Sequence, residues 1–124
     1  MEVIDTFAWI EYFAGSPRGE RAKPIVELGE AITPAIVVAE FTDKYSREGV
    51  DPRERLEFIR TKTTVAPLDD EIAEAAGRIN AERRPAVRGW GLADSCVLAT
   101  ARARRAKVLT GDPHFGDLDE AILI

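Results

Sequence analysis

Short apolar runs alternate with longer stretches of helical periodicity along the whole chain. The apolar runs predict strands at residues 1–4, 31–32, 64–66, 107–110 and 122–124. The stretches between them predict helices at residues 6–14, 17–28, 33–48, 51–62, 68–83 and 92–105, with a loop at 84–91. This alternation is typical of an α/β domain, in which helices cover both faces of a mainly parallel sheet.

The predicted start of the third helix depends on two residues. Thr33 is a favourable N-cap, and Pro34 then suits the first helical position, where its missing N–H has no cost. The same helix is expected to stop at Gly49.

The composition of the chain mainly excludes several kinds of functional site. The chain has 124 residues, the size of one domain, so we expect a single domain over residues 1–124. One His and one Cys are too few for a Cys/His zinc site, or for a ribonuclease that uses two imidazoles. The chain lacks the glycine-rich motifs that cradle phosphates. No apolar run is long enough for a membrane helix, and the first residues lack the basic region of a signal peptide. Cys96 is the single cysteine, so the chain cannot form an internal disulfide. We therefore expect a cytoplasmic location.

Four carboxylates stand in positions that suggest chemistry. Asp5 ends the first strand and Asp112 follows the fourth, and ligands of open α/β sheets bind at that edge. Glu40 and Asp94 lie on apolar stripes of two predicted helices. Each acid also has a structural interpretation. Asp5 and Asp112 suit helix N-caps, Asp94 suits the first turn of a helix, and Lys44 is one turn from Glu40.

Convergence of the four acids would favour a metal ion. Two carboxylates 4 Å apart repel by about 4 kcal/mol at an effective dielectric near 20. Oxygen ligands without imidazole or thiolate suit Mg²⁺ or Mn²⁺, which typically activate water and bind phosphate oxygens. Metal-assisted hydrolysis of a phosphodiester is therefore the reaction that this composition permits.

Charge is distributed unevenly, although the net charge of the chain is −5. Residues 78–107 contain eight basic and two acidic side chains, a local charge of +6. Arg84 and Arg88 are therefore candidates for contacts with phosphate groups, and Trp90 is a candidate for stacking on an unpaired base. Packing under a loop is the alternative for Trp90. His114 is predicted to be structural rather than catalytic.

Four segments in order give the chain a family resemblance: VIDTFAWI at 3–10, VAEF at 38–41, LADSCVLATA at 92–101 and LTGDPHF at 109–115. Together they resemble PIN domains, specifically the small VapC toxins, over essentially the whole length. The resemblance implies a three-layer α/β/α fold with about five parallel strands. It also implies an endoribonuclease that hydrolyses RNA with water activated by Mg²⁺ or Mn²⁺. Asp5, Glu40, Asp94 and Asp112 match the acidic metal site, and Thr110 matches the hydroxyl residue beside it. A homodimer and a VapB-type antitoxin are the implied partners.

Other functions remain open from the sequence. A receiver-type signalling domain has a similar length and strand-end acids, but here Thr6 follows Asp5 where a second acid is needed. A dehalogenase-type phosphatase needs an Asp where Phe7 stands. A non-catalytic RNA-binding domain of the same fold is the third alternative. A groove for a partner peptide is a further interpretation of Trp9, Tyr12 and Phe13, which otherwise belong to the core.

Overall fold

The computed structural model describes residues 1–124 and contains a five-stranded sheet with six α-helices in a three-layer α/β/α arrangement. The strands are β1 (Glu2–Ile4), β2 (Ile32–Pro34), β3 (Thr64–Ala66), β4 (Lys107–Thr110) and β5 (Ala121–Leu123). The helices are α1 (Thr6–Ala14), α2 (Pro17–Leu28), α3 (Ala35–Arg47), α4 (Arg53–Lys62), α5 (Asp70–Arg83) and α6 (Leu92–Ala103). The predicted α/β class is confirmed. None of the helices is both long enough and apolar enough to cross a membrane.

The strand order is β3-β2-β1-β4-β5, and every neighbouring pair is parallel. In the central pair, Ile4 lies opposite Leu109, so β1 and β4 reach the same edge of the sheet in step. The carboxyl ends of parallel strands meet at one edge. The residues that follow β1 and β4 are therefore neighbours in space, although about a hundred positions separate them in sequence.

The core explains why these short strands are stable. Val3, Ile4, Val108 and Leu109 are fully buried, as expected for central parallel strands that helices cover on both faces. Helix α6 is buried continuously from Ser95 to Ala101. This helix packs against α5 and against the central strands, so it fixes the position of whatever its first turn presents.

The predicted start of the third helix was wrong. Thr33 lies inside β2 and is fully buried, and α3 begins at Ala35. The Thr33 hydroxyl accepts a hydrogen bond from Trp9 Nε1 (3.2 Å) and lies 2.7 Å from the hydroxyl of Thr63. A polar partner for the buried indole therefore replaces the helix cap that local sequence favours.

Candidate active site

Asp5 occupies the most buried position of the site. It follows β1 directly and is 5% exposed. Its side chain makes no cap hydrogen bond to α1, and its Oδ2 instead accepts one from Thr110 Oγ1 (2.8 Å). Burial raises the pKa of Asp5 to about 7, and the negative charge of Glu40 adds to the rise, although the Thr110 hydrogen bond opposes it. Burial without a cap role sets this carboxyl apart from a structural aspartate.

Glu40 reaches the same place from α3. Its Oε1 accepts a hydrogen bond from Thr6 Oγ1 (2.7 Å), which fixes the carboxylate above the start of α1. Burial is the largest cause that raises the pKa of Glu40, and the charges of Asp94 and Asp112 raise it further. The alternative partner, Lys44, pairs with Glu48 instead (Nζ to Oε1, 2.8 Å).

Asp94 combines a structural and an electrostatic role. It lies in the first turn of α6, where its Oδ2 accepts the backbone N–H of Gly91 (2.9 Å). The predicted place in the first turn of a helix is therefore confirmed, and one carboxylate oxygen also caps the helix. Its pKa is nevertheless raised, mainly by burial and also by the charge of Asp112, because the side chain is turned toward the other acids.

Asp112 and His114 form the last part of the site, just after β4. Asp112 Oδ1 accepts the backbone N–H of His114 (2.9 Å), and Asp112 N–H donates to Thr110 Oγ1 (3.0 Å). His114 Nδ1 lies 3.1 Å from the same Asp112 Oδ1. Asp94, Asp112 and His114 each offer a ligand atom within 4.8 Å of the others. The sequence-based prediction that His114 is structural rather than catalytic did not include this proximity to the two acids.

The structure brings all four acids around one pocket of about 360 Å³. Its walls also include Thr6, Phe7, Ile10, Glu11 and Lys44. Lys44 is the one cation in the lining, so the pocket holds a surplus of negative charge. The pKa values of Asp5, Glu40 and Asp94 are all raised, because burial and the neighbouring carboxylates both disfavour the charged form. A hard divalent cation fits this donor set, since its charge would compensate the carboxylates.

Two hydroxyl residues support the acids. Thr110 matches the position expected for such a residue and donates to Asp5. Thr6 plays the corresponding part for Glu40 and was missed in the sequence, although its place directly after a strand-end acid is a usable signal.

Trp90 is not available for base stacking in this conformation, contrary to the prediction. It is 2% exposed, its Nε1 donates to Ser95 Oγ (2.7 Å), and its ring centroid lies 4.9 Å from that of Phe115. The packing alternative accounts for it. Arg84 and Arg88 are exposed on the loop beside it, and Arg88 borders a shallow groove that also includes His114. Their contact with RNA stays a prediction.

Arg83 holds this loop against the site and was not singled out from the sequence. Its guanidinium lies 4.1 Å from the Trp90 ring centroid. Its Nη2 donates to Asp117 Oδ1 (2.8 Å) and to the carbonyl oxygen of His114 (3.1 Å). Only 12% of the Arg83 side chain is exposed, so these contacts position the turn that contains Asp112 and His114.

Fold and site together define the class: a parallel α/β domain with an acidic pocket at the carboxyl edge of its central strands. The family model of the PIN domain matches residues 3–121. The chain therefore belongs to the PIN domain family, as the four sequence segments indicated. Its sheet order also differs from the 2-1-3-4-5 order of receiver domains, which removes that alternative.

Several solved structures share the fold. A toxin–antitoxin complex from Klebsiella pneumoniae superposes with a TM-score of 0.77 at 18% identity, covering 98% of this chain and 96% of that chain. VapC20 from Mycobacterium tuberculosis, described as a toxin that cleaves the sarcin–ricin loop, gives 0.75 at 18% identity, with 96% and 95% covered. FitAcB from Neisseria gonorrhoeae gives 0.73 at 20% identity, with 100% and 97% covered. A search of curated protein sequences found no match.

Proposed function

We propose that this protein is a metal-dependent endoribonuclease. The observation that carries the proposal is the convergence of Asp5, Glu40, Asp94 and Asp112, from four distant parts of the chain, on one pocket. Membership in the PIN domain family supports nuclease chemistry. The cleavage activity of VapC20, which shares the fold, supports RNA as the substrate.

Asp5, Glu40, Asp94 and Asp112 would hold the ion, Mg²⁺ or Mn²⁺. When bound, such an ion activates water and neutralises charge on the phosphate. Thr110 and Thr6 keep the Asp5 and Glu40 carboxylates oriented into the pocket through short hydrogen bonds. Arg84 and Arg88 would attract the phosphate backbone at the exposed side of the site, which lets an acidic pocket accept a polyanion.

A role as the toxin of a toxin–antitoxin pair is the second part of the proposal. The Klebsiella pneumoniae structure that shares the fold is described as a toxin–antitoxin complex, and another is described as DNA-bound VapBC from Salmonella typhimurium. We infer a VapB-type antitoxin as partner, a homodimeric assembly and a cytoplasmic location for this chain.

The test is cleavage of single-stranded and hairpin RNA by purified protein with Mg²⁺, with Mn²⁺ and with a chelator. We expect cleavage only with a divalent ion. Asp94→Asn removes a charge but keeps an oxygen that can accept the Gly91 N–H, so the variant should fold and be inactive. Glu57→Gln removes an exposed carboxylate of α4 outside the pocket and serves as the charge-matched control with full activity.

Cleavage in chelator, or by Asp94→Asn, would contradict the proposal. RNA binding without cleavage by the wild-type protein would instead favour a non-catalytic RNA-binding domain.

A further inference from the structure

We propose that His114 supplies a nitrogen ligand, through Nδ1, to a divalent ion held by Asp94 and Asp112, so that the site binds Mn²⁺ in preference to Mg²⁺. This inference rests on the proposed function, because it concerns the metal of the same pocket.

The first support is the state of the ring nitrogen. His114 Nδ1 is shielded from solvent and has no hydrogen-bond partner. Asp112 Oδ1 lies 3.1 Å from Nδ1, but the two atoms are not joined by a hydrogen bond. Buried polar atoms without a partner are rare in folded proteins, and a bound ion is one accepted explanation.

The second support is the spacing of the donor atoms. Around an octahedral ion with bonds near 2.1 Å, adjacent ligand atoms lie about 3.0 Å apart and opposite ones about 4.2 Å apart. Asp94, Asp112 and His114 offer one atom each, all within 4.8 Å of one another. A small contraction around an ion would therefore bring all three atoms to bonding distance.

The third support is that the ring is held in place. Gly89 has a φ of +86°, and a Cβ there would lie 2.6 Å from His114 Nε2, so the far edge of the imidazole packs directly on this glycine. Arg83 donates to the His114 carbonyl oxygen from the other side. These contacts leave Nδ1 directed to the carboxylates. The chain thus holds the imidazole in place before an ion arrives.

The preference follows from ligand chemistry. Mg²⁺ is hard, retains water and takes oxygen ligands, whereas imidazole is a good ligand for first-row transition ions. One nitrogen among the carboxylates adds affinity for Mn²⁺ and little for Mg²⁺.

The chain contains one histidine, which makes a spectroscopic test unambiguous. Pulsed electron paramagnetic resonance of the untagged protein with stoichiometric Mn²⁺ should show coupling to an imidazole ¹⁴N nucleus. Growth with ¹⁵N-histidine should replace this signal by that of ¹⁵N, a control that leaves the fold unchanged. In His114→Phe, which keeps a ring on Gly89, we expect loss of the signal and about a tenfold weaker Mn²⁺ affinity by calorimetry, with Mg²⁺ affinity changed by less than about threefold.

The outcomes separate this inference from the proposed function. His114 is not a ligand if Mn²⁺ binds stoichiometrically without nitrogen coupling, or if ¹⁵N-histidine does not alter the coupling. RNA cleavage and the inactivity of Asp94→Asn would still support the nuclease in that case. An equal loss of Mn²⁺ and Mg²⁺ affinity in His114→Phe would overturn the preference. Absence of Mn²⁺ binding would overturn both the ligand and the metal dependence of the nuclease.

Discussion

Asp5 should make the metal-free protein less stable at neutral pH than at mildly acidic pH. The carboxyl is buried beside Glu40, and its pKa is about 7 in the folded protein against an ordinary value of 3.8. The folded state therefore binds a proton more tightly than the unfolded state does. The resulting stabilisation is fully present below pH 3.8 and is lost as the pH rises through about 7.

The magnitude follows from the same two values. A difference of roughly three pH units corresponds to about 4 kcal/mol in the free energy of unfolding. Between pH 5 and pH 8, where most other carboxylates are already ionised, the loss assigned to Asp5 is about 2 to 3 kcal/mol. Glu40 and Asp94 change stability in the same direction, because their pKa values are also raised.

Urea unfolding of the metal-free protein at pH 5 and pH 8 measures this loss of stability. In Asp5→Asn, most of the difference in stability between the two pH values should disappear. Glu57→Gln, on the exposed surface of α4, should keep the wild-type dependence on pH. Addition of Mn²⁺ at pH 8 should restore stability to the wild type, since an ion that binds only the folded state stabilises it. Equal stability of the wild type at the two pH values, or an unchanged dependence in Asp5→Asn, would refute the reasoning.

Three further predictions concern packing, two of them beside the site and one on the exposed surface of α5. Gly111→Ala should destabilise the protein by about 1 to 3 kcal/mol because the added Cβ would overlap the Phe7 ring. Gly77→Ala, at an exposed position of α5 with open space around it, should stabilise by about 0.5 to 1 kcal/mol in the same urea titrations. Trp90→Phe should lower the free energy of unfolding by about 1 to 3 kcal/mol, because it removes the buried hydrogen bond to Ser95 and some side-chain volume next to Phe115. RNA cleavage per folded molecule should not change. A selective loss of cleavage in that variant would restore a base-stacking role for Trp90.

Much of the fold was predictable because local signals and tertiary structure agree. The strands at 64–66 and 107–110 lie where the apolar runs placed them. The carboxyl ends of parallel strands share an edge, and this rule predicted that Asp5 and Asp112 would meet. Glu40 and Asp94 were predicted from their positions on apolar helix stripes. Asp5 follows β1 directly and Asp112 stands two residues after β4, so both lie at that edge.

The remaining features depend on contacts between distant residues. Thr33 has a good capping sequence, but the buried indole of Trp9 needs its hydroxyl, and that need is invisible locally. The loop sequence left both base stacking and packing open for Trp90, and the contacts of its ring with Arg83 and Phe115 account for packing. The proximity of His114 to the acids also depends on the tertiary structure, since the turn after β4 brings its ring nitrogen beside Asp112.

Anomalous X-ray scattering from crystals grown with Mn²⁺ tests the central claim most directly. The account predicts a strong anomalous peak inside the pocket, within bonding distance of carboxylate oxygens from Asp5, Asp94 or Asp112, that disappears in crystals of Asp94→Asn. A pocket without a peak at saturating Mn²⁺, or an ion bound only at sites away from these acids, would contradict it.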